Sequence, residues 1–118
     1  MDQNAKNQTY CESMLRLQDW YPQFEIARWF ALGESSTSAK RIIRSSMLRK
    51  LYPEDHPDKR GANNSDVLAI GLLDLLHREG YDVSTLQFDT KGKVLGVRKR
   101  PLLRSITSKA AGEEPEKG

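Results

Sequence analysis

The sequence predicts an α+β domain of about four helices followed by a C-terminal β-hairpin. Three observations carry that prediction. Apolar residues recur at helical spacing in four separate stretches between residues 9 and 79. The period then shortens to that of a strand, with Leu86 and Phe88 alternating with Gln87 and Asp89. Proline, glycine or a cluster of Ser, Thr, Asn and Asp stands at each junction.

Residues 1–8 are polar and read as a flexible N-terminus. The first helix is expected from about Thr9 to Tyr21, where Tyr10, Met14, Leu17 and Tyr21 form one stripe. Pro22 breaks it, because the residue before a proline avoids the helical region. Pro22 suits the first turn of a second helix that runs to Leu32. Phe24, Ile26, Ala27, Trp29 and Phe30 cover most of its circumference, which predicts an interior helix. Gly33 ends it, and the "ESSTS" run supplies side-chain oxygens to cap a third helix from about Ser38 to Leu51. Ala39, Ile42, Ile43, Met47 and Leu51 are its expected buried stripe, with Lys40, Arg41, Arg44 and Ser45 off it.

Pro53 stops that helix, and a proline-containing loop follows over residues 53–63. "NNSD" is a capping signal for a fourth helix, from about Asp66 to Glu79. Val67, Leu68, Ile70, Leu72, Leu73, Leu75 and Leu76 make it the most hydrophobic element, and it is expected at the centre of the core. Gly80 suits a left-handed C-terminal cap. "DTKGK" reads as a hairpin turn with positive φ at Gly92, and "VLGVRK" as the return strand. Residues 9–104 read as one domain, and residues 105–118 as a disordered tail with little to bury.

The net charge of +3 conceals a segregation. Residues 40–50 hold Lys40, Arg41, Arg44, Arg49 and Lys50, and residues 91–104 hold Lys91, Lys93, Arg98, Lys99, Arg100 and Arg104, with no acid in either run. Segregated charge makes a directional field and predicts an anionic partner. Helices 2 and 3 joined through a glycine resemble a helix-turn-helix, though with a longer turn than the compact form, and the basic hairpin resembles a wing. The fold class is therefore winged-helix-like. The function expected of it is regulatory nucleic-acid binding, DNA before RNA, through Lys40, Arg41, Arg44 and Arg49 on one surface and Lys91, Lys93, Arg98, Lys99 and Arg100 on the other.

A protein-binding adaptor or inhibitor that meets an acidic partner is the alternative. Its sharpest form comes from His56-Pro57-Asp58, which resembles the signature of J-domain co-chaperones, with "LRKL" upstream of it and "FALG" near where that family has a similar Leu-Gly. The resemblance covers about 45 residues. It implies that His56, Pro57 and Asp58 contact an Hsp70-type ATPase, helped by Arg44, Arg49 and Lys50.

Other chemistry has thin support. Asp74 and His77 lie three apart and are expected as a surface pair on the polar edge of helix 4. Cys11 is the sole cysteine and has no local histidine, and two histidines do not make a zinc quartet. "GESSTSAK" lacks the second glycine and the Lys-Ser/Thr ending of a nucleotide loop. Trp20, Tyr21, Trp29 and Phe30 could stack on bases, but at helical spacing they are expected in the core. No catalytic residue, metal or cofactor is expected. The absence of a signal-like or membrane-length apolar run predicts an intracellular, cytoplasmic protein with no membrane partner.

Overall fold

The computed structural model describes residues 1–34 and 36–101. Four helices, α1 (Gln3–Gln18), α2 (Gln23–Phe30), α3 (Thr37–Lys50) and α4 (Asn64–Arg78), precede an antiparallel hairpin of β1 (Tyr81–Phe88) and β2 (Val94–Lys99). The α+β class and the element order are those the sequence predicts. The expected tail, residues 105–118, lies outside the described residues. Among the described residues no helix is long and apolar enough to cross a membrane.

Local chemistry sets most boundaries. Ser36 caps α3 by accepting from the N–H of Ala39. Asn63 and Asp66 form a reciprocal capping box at α4, satisfying two end groups at once. Gly80 takes φ +97° immediately after α4. At the hairpin tip Gly92 takes φ +83°, while the Asp89 carboxylate accepts from the N–H groups of Lys91 and Lys93.

The N-terminus departs from expectation. In place of a flexible segment through residue 8, α1 begins at Gln3, with Asp2 as its cap. The cause is remote in sequence. Gln3 Nε2 donates to the Ala62 carbonyl at 2.8 Å, and the Asn7 side-chain oxygen accepts from the Ala62 N–H at 2.9 Å. These bonds fasten the first turns of α1 to the loop before α4.

Helix α1 packs on α4, α2 on α3, and β1 on α4, with a smaller α1–α3 contact. Tyr10, Met14 and Leu17 from α1 meet Ile26, Ala27 and Trp29 from α2, Met47 from α3, Ile70 from α4, and Val83 and Leu86 from β1. Val83 and Leu86 are three apart, so simple alternation would put them on opposite faces. A bulge in β1 corrects this: pairing runs Asp82↔Arg98 and then Gln87↔Gly96. The Thr85 hydroxyl fills the interrupted ladder by accepting from the Arg98 N–H at 2.8 Å.

Four expected core assignments change, the first in α2, where Phe24 is exposed and not interior. Ile42 is 71% exposed, so α3 buries Met47 and half-buries Ile43 while Ile42 points outward. Leu68, Leu72 and Leu75 are exposed, so α4 turns an apolar face to the outside as well as to the core. Trp20 is 65% exposed, whereas Tyr21 and Trp29 are buried as expected.

Candidate nucleic-acid interface

Arg41, Ser45 and Arg49 are spaced by four and therefore lie along one side of α3, with Ile42 and Ser46 beside them. The loop before α4 adds Arg60, whose backbone N–H donates to the Arg49 carbonyl at 3.1 Å. The six residues line one open groove of about 350 Å³. No acidic side chain lines it. Arg41, Arg49 and Arg60 are exposed, and none has an ion-pair partner among the described residues. Three guanidiniums with two neighbouring hydroxyls form a donor set suited to phosphate oxygens.

The other predicted residues of the first surface are differently placed. Lys40 is half-buried. Arg44 turns toward α2: its Nε donates to Gln23 Oε1 at 2.8 Å, and its guanidinium lies over the Phe24 ring. Lys50 pairs with Asp66 at 2.8 Å and lies over Tyr10. It tethers α3 to α4 and is not free to meet a ligand.

On the hairpin, Lys91, Lys93, Arg98 and Lys99 are exposed, and Lys99 lies over the Tyr81 ring. Arg100 is structural. Its Nη1 donates to the Tyr81 carbonyl and to His77 Nδ1, each at 3.0 Å, and its backbone N–H donates to the Gly80 carbonyl at 2.7 Å. The hairpin follows α4 in sequence and packs on it, and it also meets the α2–α3 turn. There Gly33 sits so close to Phe88 that an added Cβ would meet the ring at 2.8 Å, and Gly92 approaches Leu32 equally tightly. The structure thus groups Arg41 and Arg49 with Arg60, and spreads the hairpin cations between its tip, Lys91 and Lys93, and its base, Arg98 and Lys99.

The sequence reading missed Arg60, Ser46 and Ile42. Arg60 sits in a loop, outside any periodic pattern, and only the turn that carries its N–H to Arg49 reveals its place. Periodicity alone places Ile42 inward, but it is 71% exposed.

The loop at residues 53–60 is well tied. Lys59 Nζ donates to the Lys50 carbonyl at 2.6 Å, and Asn7 donates to the Glu54 carboxylate. His56, Pro57 and Asp58 are all exposed at its apex. The Asp58 N–H donates to His56 Nδ1 at 3.0 Å, and the His56 ring leans on Tyr52. Helix α3 ends at Lys50, with Leu51 as its C-cap, well short of the tripeptide.

The expected Asp74–His77 surface pair does not form. Both residues are buried. Asp74 takes two bonds from Arg16 Nε and Nη2 at 2.9 Å and pairs with Arg78. Arg100, which can only donate, and the Tyr21 hydroxyl share the single lone pair of His77 Nδ1, each at 3.0 Å, and the Tyr21 oxygen accepts from the Val83 N–H. Since Nδ1 is an acceptor, the ring is neutral with its proton on Nε2. Burial pushes the His77 pKa down, and the Arg100 charge adds to this, against an opposing pull from Asp74 and Asp82. The Cys11 thiol is pushed up by burial, so it is not an activated nucleophile.

Comparison with known protein families, with curated proteins and with solved structures finds no match.

Proposed function

We propose that this domain binds nucleic acid, duplex DNA before RNA, with the outward side of α3 against the phosphate backbone. The observation that carries the reading is the acid-free groove of Arg41, Arg49 and Arg60. A helix of 14 residues fits the B-form major groove, whereas the A-form major groove is too deep and narrow for side chains to read. Arg41, Arg49 and Arg60 supply charge, while Ser45 and Ser46 donate to phosphate oxygens. Lys91, Lys93, Arg98 and Lys99 provide a second, separate set of contacts.

The mechanism is counterion release, so affinity falls steeply with salt. Fluorescence anisotropy of a labelled duplex of roughly 25 base pairs, and of its single strand, across a salt series tests this. The variant Arg41→Glu/Arg49→Glu should lose most of the affinity and reduce the salt slope by about 2. No binding at low salt, or binding that ignores both salt and the variant, overturns the reading.

The exposure of the whole His56-Pro57-Asp58 apex supports an adaptor as second reading, with an acidic partner or an Hsp70-type ATPase. Under it, His56→Gln abolishes stimulation of that ATPase; unchanged stimulation, or none by the parent protein, removes the co-chaperone form.

A further inference from the structure

Helix α4 is apolar on two opposite sides. Ile70 is fully buried, with Val67 and Leu73 packed against the core, yet Leu68, Leu72 and Leu75 are 64%, 52% and 43% exposed. The spacing of four and three places these leucines along one outward stripe. Isolated surface leucines need no explanation, but three in register on one helix form a contiguous patch. At its end stands exposed Glu79.

Gly71 flanks the same stripe at mid-helix, and a Cβ there would meet nothing within 4 Å. Among the described residues no packing therefore requires glycine, although glycine costs a helix about 1 kcal/mol relative to alanine. A bare backbone on the edge of an apolar stripe suits the close approach of another helix.

We propose that this face pairs with the same face of a second copy of the chain, as an antiparallel α4–α4 contact about a two-fold axis. Placing the axis between residues 71 and 72 sets Leu68 of each copy against Leu75 of the other. Leu72 meets its own counterpart beside the axis, and Gly71 meets Gly71, so no side chain separates the backbones there. Such a contact is isologous and closes on itself.

Charge selects the antiparallel sense. In a parallel pair Glu79 would face Glu79. In the antiparallel pair each Glu79 lies beside Asn64 and Ser65 of the other copy, at the helix N-terminus where free N–H groups favour a carboxylate. The inference does not depend on nucleic-acid binding.

Sedimentation equilibrium of the full chain without nucleic acid, from roughly 1 µM to roughly 200 µM, is the test. The weight-average mass should rise from 13.5 kDa toward twice that value. Leu72→Glu should weaken association at least about tenfold. Gly71→Ala and Gly71→Leu should do the same in increasing degree, and circular dichroism should show the fold intact in the alanine variant, whose Cβ has nothing within 4 Å among the described residues. In a Cys11→Ser background, a mixture of Leu68→Cys and Leu75→Cys chains should cross-link as the mixed pair more than as either like pair, since like pairs would sit about 10 Å apart along the axis. A monomer throughout the range overturns the proposal, as does dominance of like pairs. Association that appears only when the chain is ended after Pro101 would assign the face to residues 102–118 and also overturn it.

Discussion

Arg16 and Arg41 carry the same group on helices of one small fold, but among the described residues only the first has an ion-pair partner. Arg16 makes a two-pronged bond to Asp74, a carboxylate 1% exposed between α1 and α4. Arg28 is similar: it pairs with Glu25 at 2.7 Å and reaches the Leu86 carbonyl of β1. Arg100 locks the base of the hairpin through His77. Arg41, Arg49 and Arg60 share a groove with no acid. The first set joins elements, and its geometry is fixed by buried partners. The second set has no ion-pair partner among the described residues and joins no elements through its guanidiniums.

The largest break in this comparison comes from removing a buried partner. Asp74→Ala should cost about 2 kcal/mol in urea unfolding, because it severs the charge-assisted α1–α4 link at a buried carboxylate, while half-exposed Arg16 and Arg78 regain water. A loss under about 1 kcal/mol would show that the link is dispensable. Tyr21→Phe should cost about 1 kcal/mol, since the Val83 N–H loses its buried acceptor while His77 Nδ1 keeps Arg100.

The pH dependence sharpens the same contrast. His77 binds its proton less readily when folded, so its contribution is complete above an unfolded value of about 6.5. That contribution is lost as pH falls from there through the folded value. Urea midpoints measured between these limits should fall as pH falls in the parent and flatten in His77→Gln. The smallest effect belongs to the free set: Arg41→Ala/Arg49→Ala should change stability by less than about 0.5 kcal/mol. A loss as large as that of Tyr21→Phe would mean that these arginines hold the fold together after all.

Element types and most ends were legible because their causes are local. Ser36, Asn63, Gly80 and Gly92 act within a turn of their own positions, so composition and spacing expose them. What stayed hidden depends on partners distant in sequence. The start of α1 follows from Gln3 and Asn7 meeting Ala62. The placement of Val83 and Leu86 on one face follows from a bulge that Thr85 stabilises. Periodicity could not tell that Arg44 and Arg100 are engaged while Arg41 and Arg49 are free, since a charge run has the same appearance in either role. Nor could it show which side of α4 faces the core, because the leucines lie nearly all round it.

By itself, then, the sequence determined four helices, a hairpin, their caps and the segregation of charge, because hydrogen bonds between near neighbours and the alternation of apolar residues are written in consecutive positions. Tertiary structure decided which cations are bound to partners, that Arg60 joins Arg41 and Arg49, and that a leucine face of α4 remains outside. These outcomes depend on three-dimensional distance, and a buried side chain such as Asp74 selects its partner from 58 positions away.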